Sequence, residues 1–278
     1  MTNRLKVSLV IPAYNEESHL GLCLDAVARQ TRKIDEVIVV DNNSTDRTAE
    51  VVASYPFVKL LRERRQGLRF TRNTGMDAAA GDVIGRIDAD SVLAPDWCEE
   101  LHALFADRRV WAASGACYGH DMPAKRLGLY LDRRLRGFAF RGDGPLLYGS
   151  NMAMRREAWQ AIRSVVCMEG EFFEDCDLSI HLRDAGYNIA YDPRLVVGVA
   201  ARIVDHSPLN FYKNMQQYDR TFAAHNQRNA SARRGKYLYL TSYPLLKLVR
   251  WAYDPDAKKI SLVRILRPKT KPRPTSNT

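Results

Sequence analysis

The chain has 278 residues, of which 46% are hydrophobic and 27% charged, an ordinary balance for a globular protein long enough to bury a full core. No uncharged apolar run reaches the roughly eighteen residues that a membrane-spanning helix needs. The opening MTNRLKVSLVIPAYN runs straight into a strand without a signal-cleavage pattern, so a cytoplasmic protein is expected. The net charge of +10 is unevenly spread: residues 207–278 hold 15 Lys and Arg against 3 Asp, a net of +12, and the rest sums to −2. A near-neutral body with a basic tail calls for an acidic partner, whether anionic lipid headgroups, a phosphorylated acceptor or nucleic acid. Cys23, Cys98, Cys117, Cys167 and Cys176 are scattered with no Cys-x-x-Cys pair, which argues against both a disulfide framework and a zinc site.

Val7–Ile11 is a continuous apolar run, as expected of a central parallel strand covered on both faces. Pro12 is expected to end it, and Asn15 to cap a helix whose face is Leu20, Leu24, Val27 and Ala28. Further strands are expected at Glu36–Val40, Val58–Leu61 and Val83–Ile87, with helices through Ala49–Ala53 and Leu68–Ala80 between them. Strand and helix alternate at short spacing, which predicts an α/β fold with a mostly parallel central sheet and right-handed crossovers. A helix starts at Pro95-Asp-Trp, and Trp111–Gly115 and Asn151–Arg155 read as strands. In the stretch from Pro123 to Phe140, Leu127, Tyr130, Leu131, Leu135 and Phe138 recur at helical spacing among arginines and a lysine. Such a helix packs on the body, meets a partner or lies on a membrane. Acids open a helix at Glu174, which Gly186 closes, and Val196–Val204 reads as the last strand. The stretch from Tyr237 to Tyr253 suits either docking on anionic lipid or packing on the core. From Pro268 onward the composition predicts disorder.

Asp88-Ala89-Asp90 closes the fourth strand. Two acids spaced by one residue share a face if strand geometry persists, and at a strand's carboxyl end they suit a hard divalent cation. Alone, the same residues also make an ordinary solvated turn. Tyr14-Asn15-Glu16, Asp41–Asp46 and Asp205-His206 stand at other strand ends, and together the four describe a polar crevice above the sheet.

Val7-Ser-Leu-Val-Ile-Pro-Ala-Tyr-Asn-Glu16, Val39-Val-Asp-Asn-Asn-Ser-Thr-Asp46, Gly67 with Thr71-Arg-Asn-Thr-Gly75, Ile87-Asp-Ala-Asp90 and Phe173-Glu-Asp-Cys-Asp-Leu178 occur in that order. Together they resemble the motifs of the family 2 glycosyltransferases, over roughly residues 5 to 206. The resemblance implies a GT-A-like, Rossmann-like fold and a nucleotide-sugar donor. In those terms residues 1–206 are the glycosyltransferase domain and 207–278 a basic, helical C-terminal extension. It further implies that Pro12 and Tyr14 line the nucleotide pocket, Glu16 approaches the nucleoside and Asp41 meets the base, favouring a UDP-sugar. Arg72 would offer its planar fork to the nucleotide. Asp88, Ala89 and Asp90 would bind the donor, with Mn²⁺ or Mg²⁺ held by Asp90, Asp88 and the late His206. Asp175 would be the base for the acceptor hydroxyl, with Glu174 orienting the acceptor. The capping roles open to these acids at helix starts are compatible with that chemistry.

The expected protein is a metal-dependent, inverting, hexosyltransferase-like enzyme. Its acceptor would be a glycan, a lipid-linked sugar or another hydroxyl compound, and peripheral contact with an anionic membrane is possible. Processive polymer synthesis is disfavoured, because Gln217-Tyr-Asp-Arg220 is followed by Thr221 rather than Trp. A polyprenyl-phosphate glycosyltransferase is the alternative within the class, and a nucleic-acid-binding protein using the basic tail is the less favoured one outside it.

Overall fold

The computed structural model describes residues 5–255 and 257–261; the disorder expected from Pro268 lies outside them. In chain order the elements are β1 (Val7–Ala13), α1 (Leu20–Ala28), β2 (Glu36–Asp41), α2 (Thr48–Ala53), β3 (Val58–Arg62), α3 (Leu68–Ala78), β4 (Val83–Arg86), β5 (Val92–Leu93) and α4 (Trp97–Phe105). They continue with β6 (Ala112–Gly119), α5 (Lys125–Ala139), β7 (Met152–Arg155), α6 (Arg156–Ile162), α7 (Glu174–Asp184), β8 (Ile189–Val199), a 3₁₀ turn (Ala201–Asp205), α8 (Pro208–Ala224) and α9 (Ala230–Ala252). A two-residue hairpin, β9 (Tyr253–Asp254) and β10 (Lys259–Ile260), follows.

The main sheet has the order β3-β2-β1-β4-β7-β6-β8-β5. Its first half is parallel throughout. In the second half β7 runs antiparallel to β4 and β6, β8 is parallel to β6, and the short β5 is antiparallel to β8. The mostly parallel sheet with helices on both faces is the GT-A arrangement. Every residue of β1 is buried, as a strand covered on both faces must be. One core layer packs α1 and α4 on the sheet through Leu20, Leu24, Trp97, Leu101 and Phe105. The opposite layer holds α3, α6 and α7 through Met76, Trp159, Leu178 and Leu182.

Several boundaries differ from the sequence expectation for physical reasons. Pro12 does not end β1. Its missing N–H falls on the side of β4, past the last β1–β4 pair at Val10↔Arg86, so no ladder bond is lost. Asn15 is not a helix cap; it takes a left-handed φ of 53°, which asparagine tolerates, and its side chain accepts from Thr45 N–H at 2.8 Å. The last strand lies earlier, at Ile189–Val199, and the end of the expected run winds into the 3₁₀ turn.

The α8 and α9 helices pack on the body through apolar clusters of their own, apart from the two layers on the sheet. Ser207 caps α8, accepting from Asn210 N–H, and Asn229 caps α9, accepting from Ala232 N–H. Phe222 and Ala232 join Leu146, Cys176 and Ile180 of the body in one apolar cluster. Phe211 and Met215 of α8 meet Tyr243 of α9 in another. Within Tyr237–Tyr253, Tyr243 and Ala252 are buried while Tyr237, Leu245, Leu248 and Trp251 are exposed, so one face of this helix packs on the body and the other is turned outward. By contrast α5 turns its apolar stripe outward. Leu127, Tyr130, Leu131, Leu135 and Phe138 are all exposed, while Asp132 on the inner side accepts from Cys117 N–H and pairs with Arg136.

Glycine at position 75 is dictated by packing: a Cβ there would lie 2.3 Å from Val10 Cγ1, where α3 crosses β1. We expect Gly75→Ala to destabilise the protein by about 1–3 kcal/mol, lowering the urea midpoint with an unchanged slope in equilibrium unfolding.

Candidate active site

The carboxyl ends of β1, β2 and β4 bring Glu16, Asp41, Asp88 and Asp90 to one edge of the sheet. Asp41 ends β2 opposite Ala13, is buried, and accepts from Ser44 N–H at 3.2 Å. Tyr14 is half-buried between β1 and Asn15. Glu16 is buried, and its backbone N–H donates to Thr48 Oγ1 at 2.8 Å. The strand geometry that would align Asp88 and Asp90 does not persist, because β4 stops at Arg86. The two carboxylates instead find different partners.

Asp90 is only 8% exposed. Burial and the charge of Asp88 raise its carboxyl to about 6, against the opposing pull of Arg202. Arg202, on the 3₁₀ turn, reaches Asp90 Oδ2 at 2.5 Å and Glu16 Oε1 at 2.8 Å through Nη2. Nothing in the sequence reading singled out this arginine. Asp88 turns the other way, pairing with Arg86 Nη2 at 2.9 Å and accepting from Ser150 Oγ.

Arg86 is the second residue missed. It is buried, and its Nη2 also meets Glu174 Oε1 at 3.0 Å. Burial alone would lower its pKa; the charges of Asp88 and Glu174 outweigh that and raise it. An otherwise apolar, buried strand is a poor place for a lone arginine, which was the available signal. Glu174 is held from its other side by Arg72 Nη1 at 2.7 Å.

Two expectations are corrected by this clamp. Arg72 does not open its fork to a pocket: it is fully buried, with Nε and Nη2 donating to Asn73 Oδ1 at 2.9 and 2.8 Å. Glu174, buried between two guanidiniums, is a brace rather than a group free to orient an acceptor.

Asp175 is half-buried at the first turn of α7. Its Oδ2 accepts from Gly149 N–H at 3.0 Å and its Oδ1 from Cys176 N–H at 2.8 Å. Burial and the adjacent Glu174 charge raise its pKa, partly offset by those hydrogen bonds and Arg86. Gly149 and Ser150 therefore connect the two candidate centres, one holding Asp175 and the next holding Asp88. A side chain at 149 is impossible without rearrangement, since a Cβ would lie 1.9 Å from Arg86 Nη1.

His206 departs from its expected role. Its carbonyl accepts from Tyr243 Oη at 2.6 Å. Among the described residues no ligand set joining it to Asp88 and Asp90 lies within 4.8 Å. The positive group on Asp90 is Arg202, four residues earlier. Asp88 and Asp90 remain oxygen donors of the kind a hard divalent cation takes.

A parallel-to-mixed sheet with a carboxylate crevice at its edge and an acid-bearing helix across from it is the arrangement of the GT-A fold. The chain belongs to glycosyltransferase family 2: the family model described as Glycosyl transferase family 2 matches residues 8–163. The glycosyltransferase AglE of Haloferax volcanii is 36% identical over 107 residues, covering 36% of this chain and 35% of AglE. The chain spans well under half the length of the curated relatives it matches. The mannosyltransferase PcManGT of Pyrobaculum calidifontis, solved with GDP-Man and Mn²⁺, has a TM-score of 0.64 at 23% identity, covering 90% of this chain and 74% of that one. TarS 1-349 of S. aureus, solved with UDP-GlcNAc, has a TM-score of 0.55 at 18% identity, covering 86% and 72%. At these identities the two structures establish the shared fold.

Replacing Arg86 by Met leaves Asp88 and Glu174 short of a buried counter-charge. Chemical denaturation of Arg86→Met should show a loss of about 3–5 kcal/mol; a loss below about 1 kcal/mol, the scale of an exposed pair, would contradict the clamp.

Proposed function

We propose that this protein moves a sugar from a nucleoside-diphosphate donor to a hydroxyl acceptor, with inversion at the anomeric carbon. The observation that carries this reading is the tie made by Gly149 and Ser150 between Asp175 and Asp88. Direct displacement needs a base on the acceptor side and charge compensation on the leaving-group side, held at fixed separation. Two consecutive backbone positions supply that separation.

In this reading Asp175 receives the acceptor's hydroxyl proton. Its raised pKa makes it a stronger base than an exposed aspartate. The Arg72–Glu174–Arg86 clamp positions it without touching substrate. Pro12 and Tyr14 line the base pocket, Asp41 accepts from the base, which favours uracil, and Glu16 approaches the nucleoside.

Asp90, with Asp88, would hold Mn²⁺ or Mg²⁺, and their oxygen donors and crowded negative charge fit such an ion. When bound, the ion offsets charge growing on the leaving diphosphate. Arg202 adds a fixed guanidinium at the same crevice, suited to a diphosphate oxygen. The PcManGT and TarS complexes support a nucleotide-sugar donor of this general kind.

The acceptor side is proposed to lie at a membrane surface. The exposed Leu127, Leu131, Leu135 and Phe138 stripe of α5, beside Arg126, Arg133 and Arg134, suits anionic lipid. None of the described helices is long and apolar enough to cross a membrane.

Asp175→Asn should lower kcat by about 10²–10⁴-fold with calorimetric donor binding intact, whereas Asp90→Asn should lose Mn²⁺-dependent donor binding. Retained transfer in Asp175→Asn would instead favour a phosphate acceptor such as a polyprenyl phosphate, which needs no base. A thermal-shift screen of UDP-, GDP- and dTDP-sugars with Mn²⁺ should show the largest rise for a UDP-sugar. In vesicle sedimentation, Leu131→Asp should release the protein from phosphatidylserine vesicles; equal binding by both forms would refute the α5 contact.

A further inference from the structure

Away from the assigned carboxylates, Cys167, Asp177, His181 and His225 bring four candidate ligand atoms within 4.8 Å of one another. They come from three segments. Cys167 lies in the loop after α6, Asp177 and His181 stand one turn apart on α7, and His225 is the residue that closes α8. Asp177 Oδ1 is the hub, 2.9 Å from His225 Nε2 and 3.4 Å from His181 Nε2. Cys167 Sγ is 3.7 Å from the same His225 nitrogen. The other carboxylate oxygen, Oδ2, accepts from Cys167 N–H at 3.0 Å, which fixes the carboxylate plane and leaves Oδ1 facing the cluster.

Hydrogen bonding alone accounts poorly for this convergence. A ring nitrogen has one hydrogen or one lone pair to offer, so His225 Nε2 serves either Asp177 or Cys167. His181 Nε2 is buried with no hydrogen-bond partner among the described residues. A nucleophilic relay is equally unsuited, since it uses opposite nitrogens of one imidazole and here thiol and carboxylate compete for the same one.

Two imidazole nitrogens, a thiolate and a carboxylate oxygen form a complete four-coordinate donor set for a borderline-soft ion. Tetrahedral bonds of about 2.0–2.3 Å separate neighbouring ligand atoms by roughly 3.3–3.8 Å. The 3.4 and 3.7 Å separations lie in that range, and the 2.9 Å pair needs only a small opening.

We propose that Cys167, Asp177, His181 and His225 form a structural zinc site that pins α8 and the loop after α6 to α7. With four protein ligands it has no open position for substrate, which separates it from the all-oxygen site at Asp88 and Asp90. Asp177 and Asp175 are two residues apart on α7 and so face different sides of that helix. The sequence argument against zinc rested on the lack of a paired-cysteine motif; one cysteine with three ligands from distant segments leaves no such spacing to read. The proposal stands independently of the sugar-transfer reading.

The test uses the 278-residue chain loaded with Zn²⁺ alone, dialysed, and analysed by inductively coupled plasma mass spectrometry. About one zinc per chain is expected, falling to background in Cys167→Ser and His225→Gln and kept in Asp90→Asn. Cobalt loading should give thiolate-to-metal charge-transfer absorption that Cys167→Ser abolishes. The wild-type chain provides a second reading that does not depend on a variant folding: its thermal midpoint should rise with Zn²⁺ and fall with chelator. Wild-type protein retaining less than about a tenth of an equivalent, with no thermal shift, overturns the site. So does zinc lost in Asp90→Asn but kept in Cys167→Ser.

Discussion

The guanidinium of Arg86 is buried at the end of β4 with one nitrogen shared between Asp88 and Glu174. A charge removed from water there is tolerable only with close opposite partners, because desolvation costs several kcal/mol per ion. Each partner is committed in turn: Asp88 to Ser150, and Glu174 to Arg72. The lack of a Cβ at Gly149 lets the backbone pass against Arg86 and offer its N–H to Asp175. The clamp therefore fixes α7 relative to the sheet edge. Its value lies in alignment more than in net stability, since buried ion pairs contribute little of the latter over a well-packed apolar alternative.

Charge is sorted across the molecule in a consistent way. Acids gather at the carboxyl ends of the parallel strands, where burial, Asp88 and Glu16 raise the cost of ionising Asp90 and Arg202 partly relieves it. The outer surface, by contrast, carries basic residues on α5 and in the C-terminal helices. An acidic crevice attracts cations, while a basic exterior attracts anions. The C-terminal helices close this arrangement from outside. Lys247 reaches the carbonyls of Val204 and Asp205, and Arg250 pairs with Asp205 and Asp121, so the 3₁₀ turn bearing Arg202 is braced by α9.

Much was legible from residues close in sequence. The apolar runs of β1, β2 and β4 and the short helices between them define a parallel sheet whatever lies outside, because local periodicity and burial on both faces leave few alternatives. The carboxylates Glu16, Asp41, Asp88, Asp90 and Asp175 could be named because each ends a strand or opens a helix, positions where an acid has a local reason to stand. Harder to see were the mixed half of the sheet, the two-residue β5, and the end of β8, where the expected strand becomes the 3₁₀ turn; all of these depend on pairing between segments far apart.

The sequence by itself determined the sheet, the acids along its edge and the family motifs, since these follow from side-chain period and chain order. Only the tertiary structure decided which charges meet. Arg202 carries no local signature, the oddity of Arg86 in an apolar strand does not name its partners, and the Arg72 fork is turned onto Glu174 and Asn73 rather than a ligand. That the apolar stripe of α5, legible in the sequence, faces outward, and that Cys167, Asp177, His181 and His225 converge, is likewise invisible along the chain. The reason is physical: a strand or helix is specified by neighbours a few residues away, whereas an ion pair or a ligand cluster is specified by distance in space, and that distance exists only once the sheet and its helices have packed.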